Sequence, residues 1–381
     1  MTNQPTFTRR QLLQNSLAGA GLLLTAQPQL FGQEKPDDGL DWYNVEDWGV
    51  EGKGFTECER YYDRLPTSAK DEVRGAVWSL SRHSAGMLAR FETDARNIHV
   101  RYDLLSASLA MNHMPATGVS GIDLYGRNEA GEDRWVKVTR PSAQHVEQNL
   151  VSGIDARPNG EPRLYTAYLP LYNGVNKVEF GVPKGAVFKT VAPRKAKPIV
   201  FYGTSIMHGA CASRPGMSIS ALVGRRYDMP TINLGFSGNG RLELEVGKYL
   251  AELDPAVYCI DCLPNVQAPD VAARTEPLVN LIRKSRPNTP IVLVEDRTYT
   301  NAPFFKSMRD RHSASRKELR TAYENLKAAG DKNLYYLGGE IQLGDDGEGA
   351  TDGSHPNDLG MMRNADAYAT VLDTILKTPG S

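Results

Sequence analysis

The sequence predicts an α/β protein in two parts: an all-β, jelly-roll-like sandwich, then a parallel five-stranded sheet with helices on both faces. Three observations carry that prediction. Across residues 41–190, short runs of apolar–polar alternation are broken by turn clusters, with no long helical pattern. From residue 195 to 378, short apolar runs alternate with helical ones. Between the two lies 191–198, a basic, proline-bearing stretch at which the pattern changes.

Residues 1–33 precede both parts. Arg9 and Arg10 stand just ahead of the small, apolar run 16–26. Paired arginines before a short, weakly apolar run form a twin-arginine export signal, too short to stay as a membrane span. The expectation is export to a periplasm-like compartment or beyond, signal removal between residues 26 and 33, and no stable membrane insertion afterwards.

In the first part, 98–102 and 135–138 alternate apolar and polar residues as half-buried antiparallel strands do. Segment 175–182 does so less strictly, and turn clusters at 126–131 and 157–160 separate the runs. In the second part, apolar runs at 199–202, 231–234, 256–260, 291–294 and 334–337 read as buried strands. Helical patterns at 242–253, 271–284, 314–329 and 358–376 fall between and after them. Strands connected through helices pair in parallel.

Net charge is −1 over 381 residues, and −3 once residues 1–33 are set aside. Such a balance offers no basic face for nucleic acid. Cys259 and Cys262 are three apart within an apolar strand, so their side chains point to opposite faces. They read as packed thiols, and no partner pair for zinc accompanies them.

The chemistry gathers in the second part. In open parallel sheets, ligands bind beyond the carboxyl ends of the strands. Polar residues follow each strand here: Ser205, then Ser237-Gly238-Asn239, then Asn265, then Glu295-Asp296-Arg297, then Asp352 and His355. A serine becomes a nucleophile when a histidine takes its proton and a carboxylate fixes that histidine. Ser205, His355 and Asp352 fill those roles. Each also has a plainer reading: a serine or aspartate capping a helix, a surface histidine. The α/β-hydrolase elbow G-x-S-x-G is excluded, because Met207 occupies its last position.

The four blocks resemble the SGNH (GDSL-type) hydrolase family. Gly203-Thr204-Ser205-Ile206 is similar to its serine block, with Thr204 where many members carry aspartate. Gly235-Phe236-Ser237-Gly238-Asn239 resembles the glycine block, Asp261-Cys262-Leu263-Pro264-Asn265 the asparagine block, and Asp352-Gly353-Ser354-His355 the D-x-x-H block. Ser120-Gly121-Ile122-Asp123-Leu124-Tyr125 resembles the G-x-D-L-Y signature of a sandwich that precedes one branch of the family, similar to exported carbohydrate esterases.

The resemblance implies a flavodoxin-like domain with Ser205 as nucleophile, His355 as base and then acid, and Asp352 as its orienting group. It implies an oxyanion hole made by the backbone N–H groups of Ser205 and Gly238 and the side-chain amide of Asn265. No cofactor and no metal are implied. His208 and Arg214 are candidate substrate contacts, with a rim position and an ion pair as their respective plainer readings. The remaining histidines, His83, His99, His113, His145 and His312, show no ligand spacing. The expected function is removal of short acyl groups, acetyl above all, from a small-molecule or polysaccharide ester. A lipid or aryl ester hydrolase on the same triad and a non-catalytic carbohydrate-binding protein stand as alternatives, and the oligomeric state is left open.

Overall fold

The computed structural model describes residues 37–376, so the expected export signal lies outside the described residues. Nine strands build the sandwich: β1 Leu40–Asn44, β2 Leu88–Thr93, β3 Ile98–Leu104, β4 Asp123–Arg127, β5 Asp133–Val138, β6 His145–Val151, β7 Arg163–Tyr168, β8 Val175–Pro183 and β9 Phe188–Val191. They form two antiparallel sheets, in the orders β1-β8-β3-β6 and β5-β4-β7-β2-β9. Alternation decides which side chains face inward. In β3, Ile98, Val100, Tyr102 and Leu104 are buried while the residues between them are half-buried. They meet Phe91, Leu124, Tyr165 and Phe180 in one apolar core.

The parallel sheet comprises β10 Ile199–Gly203, β11 Thr231–Gly235, β12 Val257–Asp261, β13 Ile291–Val294 and β14 Leu334–Leu337, in the order β11-β10-β12-β13-β14. Counted within this sheet, that order is 2-1-3-4-5, the flavodoxin-like one. Every residue of β10, β11, β12 and β13 is buried, as expected of strands covered on both faces.

Among the described residues the α-helices are α1 Gly75–Ser81, α2 Ala116–Val119, α3 Ser205–His208, α4 Ile219–Tyr227, α5 Leu244–Glu252, α6 Ala268–Ser285, α7 Lys306–Ala328 and α8 Asp358–Leu376. Apolar residues of α5, α6 and α7 pack on one face of the parallel sheet, and those of α4 and α8 on the other. Cys262 belongs to the first layer and Cys259 to the second, so the two thiols do lie on opposite faces, and all four cysteines are free.

The sequence boundary between the parts is not the spatial one. Leu65, Ala69, Val73 and Val77, with Trp78, pack against Val200, Leu234 and Ile260 of the parallel sheet. Residues 65–78 therefore complete the helical layer of the second part although they precede most of the sandwich. Gly86, at φ +83°, lets the chain pass so close to β11 that an added Cβ would stand inside contact distance of the Asn233 Cβ.

The G-x-D-L-Y residues tie the two parts together. Asp123, fully buried, accepts hydrogen bonds from Arg214 Nη1 (2.9 Å), the Gly216 N–H (2.8 Å) and Trp135 Nε1 (2.9 Å). Tyr125 accepts a bond from the same Arg214 nitrogen, and its ring lies 4.2 Å from the Arg225 guanidinium. Burial pushes the Asp123 carboxyl up, and the Arg214 charge and the three donors oppose that rise. Removing one partner of a buried pair leaves the other uncompensated, at a cost of about 3–5 kcal/mol. Asp123→Ala is accordingly expected to lower unfolding free energy by about 3 kcal/mol, read from the urea midpoint. A loss under about 1 kcal/mol would show that Asp123 does not hold the parts together.

Candidate active site

Ser205 opens α3 just after β10, so this strand, lying between β11 and β12, aims it at the carboxyl edge. Thr204 caps the turn, its hydroxyl accepting from the Ile206 N–H at 3.4 Å. Aspartate and threonine both serve as helix caps, which explains why threonine can stand at that position. Tyr172 of the sandwich donates its hydroxyl to the Ser205 carbonyl at 3.1 Å and fixes the turn from below.

The loop after β14 returns to meet this serine. Ser205 Oγ lies 2.8 Å from His355 Nε2, and His355 Nδ1 lies 2.7 Å from Asp352 Oδ2. The second bond places the ring proton on Nδ1 and leaves Nε2 as the acceptor for the serine hydroxyl. Asp352 Oδ1 also accepts from the backbone N–H of His355 (2.8 Å) and of Ser354 (3.1 Å). The three-residue spacing thus closes a small loop that orients its own imidazole. Gly353, at φ +93°, permits the turn, and a Cβ there would collide with the Asn301 side chain. Burial alone would raise the Asp352 carboxyl, yet the bonds from the His355 backbone, the His355 ring and Ser354 outweigh it and hold the group below its ordinary range. Asp352 does not cap the last helix. Asn357 does, accepting from the Gly360 N–H at 3.0 Å.

Asn265 ends the short turn Leu263–Asn265 after β12, beside the turn after β11. Its amide oxygen faces the N–H groups of Gly238 (3.3 Å) and Asn239 (3.0 Å), the orientation in which donors meet an acceptor. Nδ2 is thereby turned away from both. The asparagine turn is braced from behind. Arg311 donates to the carbonyls of Leu263 (3.2 Å) and Pro264 (2.7 Å), and its other nitrogen to Asp296 (2.6 Å). Arg297 makes a two-pronged pair with Asp261 (both 2.6 Å), wholly buried, with Tyr368 donating to the same carboxylate. The Asp296 and Arg297 of the fourth strand end are structural.

Two sequence candidates lie elsewhere. His208 is fully buried, its ring stacked 4.2 Å from Tyr172. Its Nε2 lies 3.4 Å from Arg64 Nη2 and 3.3 Å from His83 Nδ1. Burial, then the Arg64 charge, drive its pKa well down, so it is a neutral core residue and not a substrate contact. Arg214 is committed to Asp123 and Tyr125. Three residues not singled out from sequence matter here. Arg64, buried, donates to the carbonyls of Asn233 (3.0 Å) and Gly235 (2.8 Å) and so supports the glycine turn. Tyr172 supports the serine. His113, on a sandwich loop, places its ring 5.9 Å from that of His355. Nothing in the spacing of these residues announces them, because their partners are far away in the chain.

Residues 196–373 match the model of the GDSL-like lipase/acylhydrolase family, and residues 40–188 match the model of the GxDLY N-terminus of SGNH-hydrolase-type esterases. A crystal structure from Bacteroides ovatus, bearing the name of a GDSL-like lipase, superposes with a TM-score of 0.83 at 30% identity, over 89% of this chain and 98% of that one. The chain belongs to the GDSL-like lipase/acylhydrolase, or SGNH, family. It is a hydrolase of carboxylic esters. Two more distant structures share the fold. A salicylyl-acyltransferase from a tetracycline biosynthetic pathway matches at 18% identity and TM-score 0.66, over 91% of this chain and 97% of that one. A family two carbohydrate esterase from Cellvibrio japonicus matches at 11% and 0.57, over 89% and 98%. No curated protein matches in sequence. In this SGNH hydrolase the serine, glycine, asparagine and histidine blocks all converge on the carboxyl ends of β10, β11 and β12.

Proposed function

We propose that this SGNH hydrolase is an exported serine esterase that removes short acyl groups, acetyl above all, from a carbohydrate. The observation that carries the mechanism is the unbroken chain Ser205 Oγ–His355–Asp352, at 2.8 and 2.7 Å. His355 Nε2 takes the serine proton as Oγ attacks the ester carbonyl. The carbonyl oxygen becomes an oxyanion, stabilised by the Ser205 N–H, by Asn265 Nδ2, and by the Gly238 N–H, which it shares with Asn265 Oδ1. His355 then gives its proton to the leaving alcohol, and an acyl-enzyme remains. Water repeats the sequence: His355 takes its proton, the acid leaves, and Ser205 is restored. Asp352, held ionised, stabilises the imidazolium formed in each half.

Ser205→Ala and His355→Ala are each expected to reduce hydrolysis of a small acetate ester by at least ~10³-fold, with an unchanged circular dichroism spectrum. Asp352→Asn should lose less. Asn265→Ala should lower kcat by ~10²–10³ with little change in KM, since the oxyanion exists only near the transition state. Wild-type turnover in Ser205→Ala would end the mechanism.

The carbohydrate reading is supported by the G-x-D-L-Y sandwich and by the carbohydrate esterases among proteins of this fold. Among the described residues no helix is long and apolar enough to cross a membrane. Activity is expected to fall steeply from acetyl to octanoyl esters of one alcohol, with acetate released from acetylated xylan, mannan or pectin. A maximum at medium chain length with no release from any glycan would favour a lipid ester hydrolase instead.

Export rests on Arg9 and Arg10 ahead of the run 16–26. Replacing both with lysine should leave full-length precursor in the cytoplasm, seen by fractionation and immunoblot. Undiminished appearance of the mature protein outside would refute a twin-arginine route.

A further inference from the structure

The sandwich places one histidine ring beside His355. Between β3 and α2 the chain makes a tight turn closed by two backbone hydrogen bonds, Met111 N–H to Met114 carbonyl (3.0 Å) and Met114 N–H to Met111 carbonyl (3.2 Å). Asn112 and His113 form its tip. Met114 is buried in the same apolar cluster as Ile206 and Met207 of α3, beneath the nucleophile. Immediately after it, Thr117 Oγ1 donates to the Ser213 carbonyl at 2.6 Å. Gly118 lies so near the Ala212 carbonyl that a Cβ would clash with it. The turn is therefore anchored to the serine-side loop at several points, and its tip is stationed beside His355.

The His113 ring lies 5.9 Å from the His355 ring, centroid to centroid, at 45°. Asn112 Oδ1 sits 2.7 Å from His113 Nδ1, which puts the proton of the neutral ring on Nδ1 and makes Nε2 the acceptor. The position has a chemical meaning. The leaving oxygen receives its proton from His355 Nε2, so the alcohol half of the ester must lie against His355 when the bond breaks. The acyl half is held on the opposite side of the carbonyl carbon. A ring beside His355 meets the alcohol.

We propose that His113 recognises the leaving alcohol, accepting a hydrogen bond at Nε2 from a hydroxyl neighbouring the ester. The ligand class is a partly esterified polyol or sugar with at least one free hydroxyl close to the acyl group. This assignment rests on the Ser205–His355 esterase reading. It separates two kinds of specificity: His113 governs which alcohol is accepted and leaves the dependence on acyl length to other residues.

The test uses the mature protein and two substrate series. One varies the alcohol at constant acetyl: ethyl acetate, glycerol monoacetate and a mono-acetylated methyl glucoside. The other varies the acyl chain on a single alcohol. Losing one hydrogen bond of ordinary strength corresponds to about a 2–12-fold change. In His113→Ala, kcat/KM for the glycerol and glucoside esters should fall by about that factor relative to ethyl acetate. His113→Gln, whose amide oxygen can accept, should recover part of the preference. The ratio of acetyl to butyryl rates should match wild type in both variants. An equal loss on all three alcohols, or an altered acyl-length ratio, would overturn the proposal. Failure of the underlying esterase reading would show differently, as turnover surviving in Ser205→Ala while His113 is intact.

Discussion

The buried carboxylate of Asp123 is the joint on which the arrangement turns. It opens β4 of the sandwich, but two of its three donors, Arg214 and the Gly216 N–H, come from the loop that follows α3. Burying an isolated carboxylate costs several kcal/mol even after relaxation. Here a guanidinium and two neutral N–H groups surround it, so the charge is kept only in one docking of the two parts. Tyr125 adds a ring that the Arg214 and Arg225 guanidiniums cover at 5.3 and 4.2 Å. Gly216 is required in the same place, because a side chain there would overlap the Tyr125 ring and the Asp123 carboxylate. Such an ion pair is weak evidence of net stability against an apolar replacement. Its value is geometric, since any shift of the sandwich would strand charge.

Behind the reacting groups the same device recurs. Asp261 at the end of β12 is matched by Arg297, and Asp296 by Arg311, which in turn holds the carbonyls of the asparagine turn. Arg64 reaches from the segment before α1 to hold the carbonyl of Gly235, just before the glycine turn. Each of these arginines supplies a planar fork to carbonyl or carboxylate oxygens at fixed angles, which a lysine cannot do. Oxyanion stabilisation depends on donors that are already in place when charge develops. Arg64 and Arg297, buried, and the half-buried Arg311 supply that rigidity from behind the strand ends. Their burial is tolerable because their donors find oxygen acceptors.

Much of this was legible from the chain alone, and the boundary of legibility is physical. The five parallel strands announce themselves as short apolar runs because both of their faces are covered. The hydrogen-bonded chain Ser205–His355–Asp352 announces itself because Asp352 and His355 are neighbours in sequence as well as space, and because Ser205 follows a strand directly enough to be presented. What escaped depends on contacts between distant segments. The stripe Leu65, Ala69, Val73, Val77 recurs every four residues, a helical signal, but only Val77 falls in an α-helix and the stripe lies ahead of all but the first sandwich strand. Read locally it belongs to the first part; in space it roofs the second. His208 was misplaced for the opposite reason. Three residues past the nucleophile, it rides a one-turn helix whose far end points into the core, where Tyr172 stacks on it.

The sandwich therefore cannot be treated as an appendage that happens to precede a hydrolase. Tyr172 holds the Ser205 carbonyl, Asp123 holds the loop that follows it, and Met114 shares its apolar cluster with Ile206 and Met207. These contacts come from three separate stretches of the first part and converge on one helical turn. A free parallel sheet could in principle bring the four family blocks together by its topology. It would not hold the turn that carries Ser205 against the thermal motion of a four-residue helix with few bonds of its own. On this reasoning the order of the parts in the chain matters less than their shared core. The antiparallel part provides the walls that keep Ser205 Oγ at 2.8 Å from His355 Nε2. Through His113 it also provides a polar ring where the alcohol must leave.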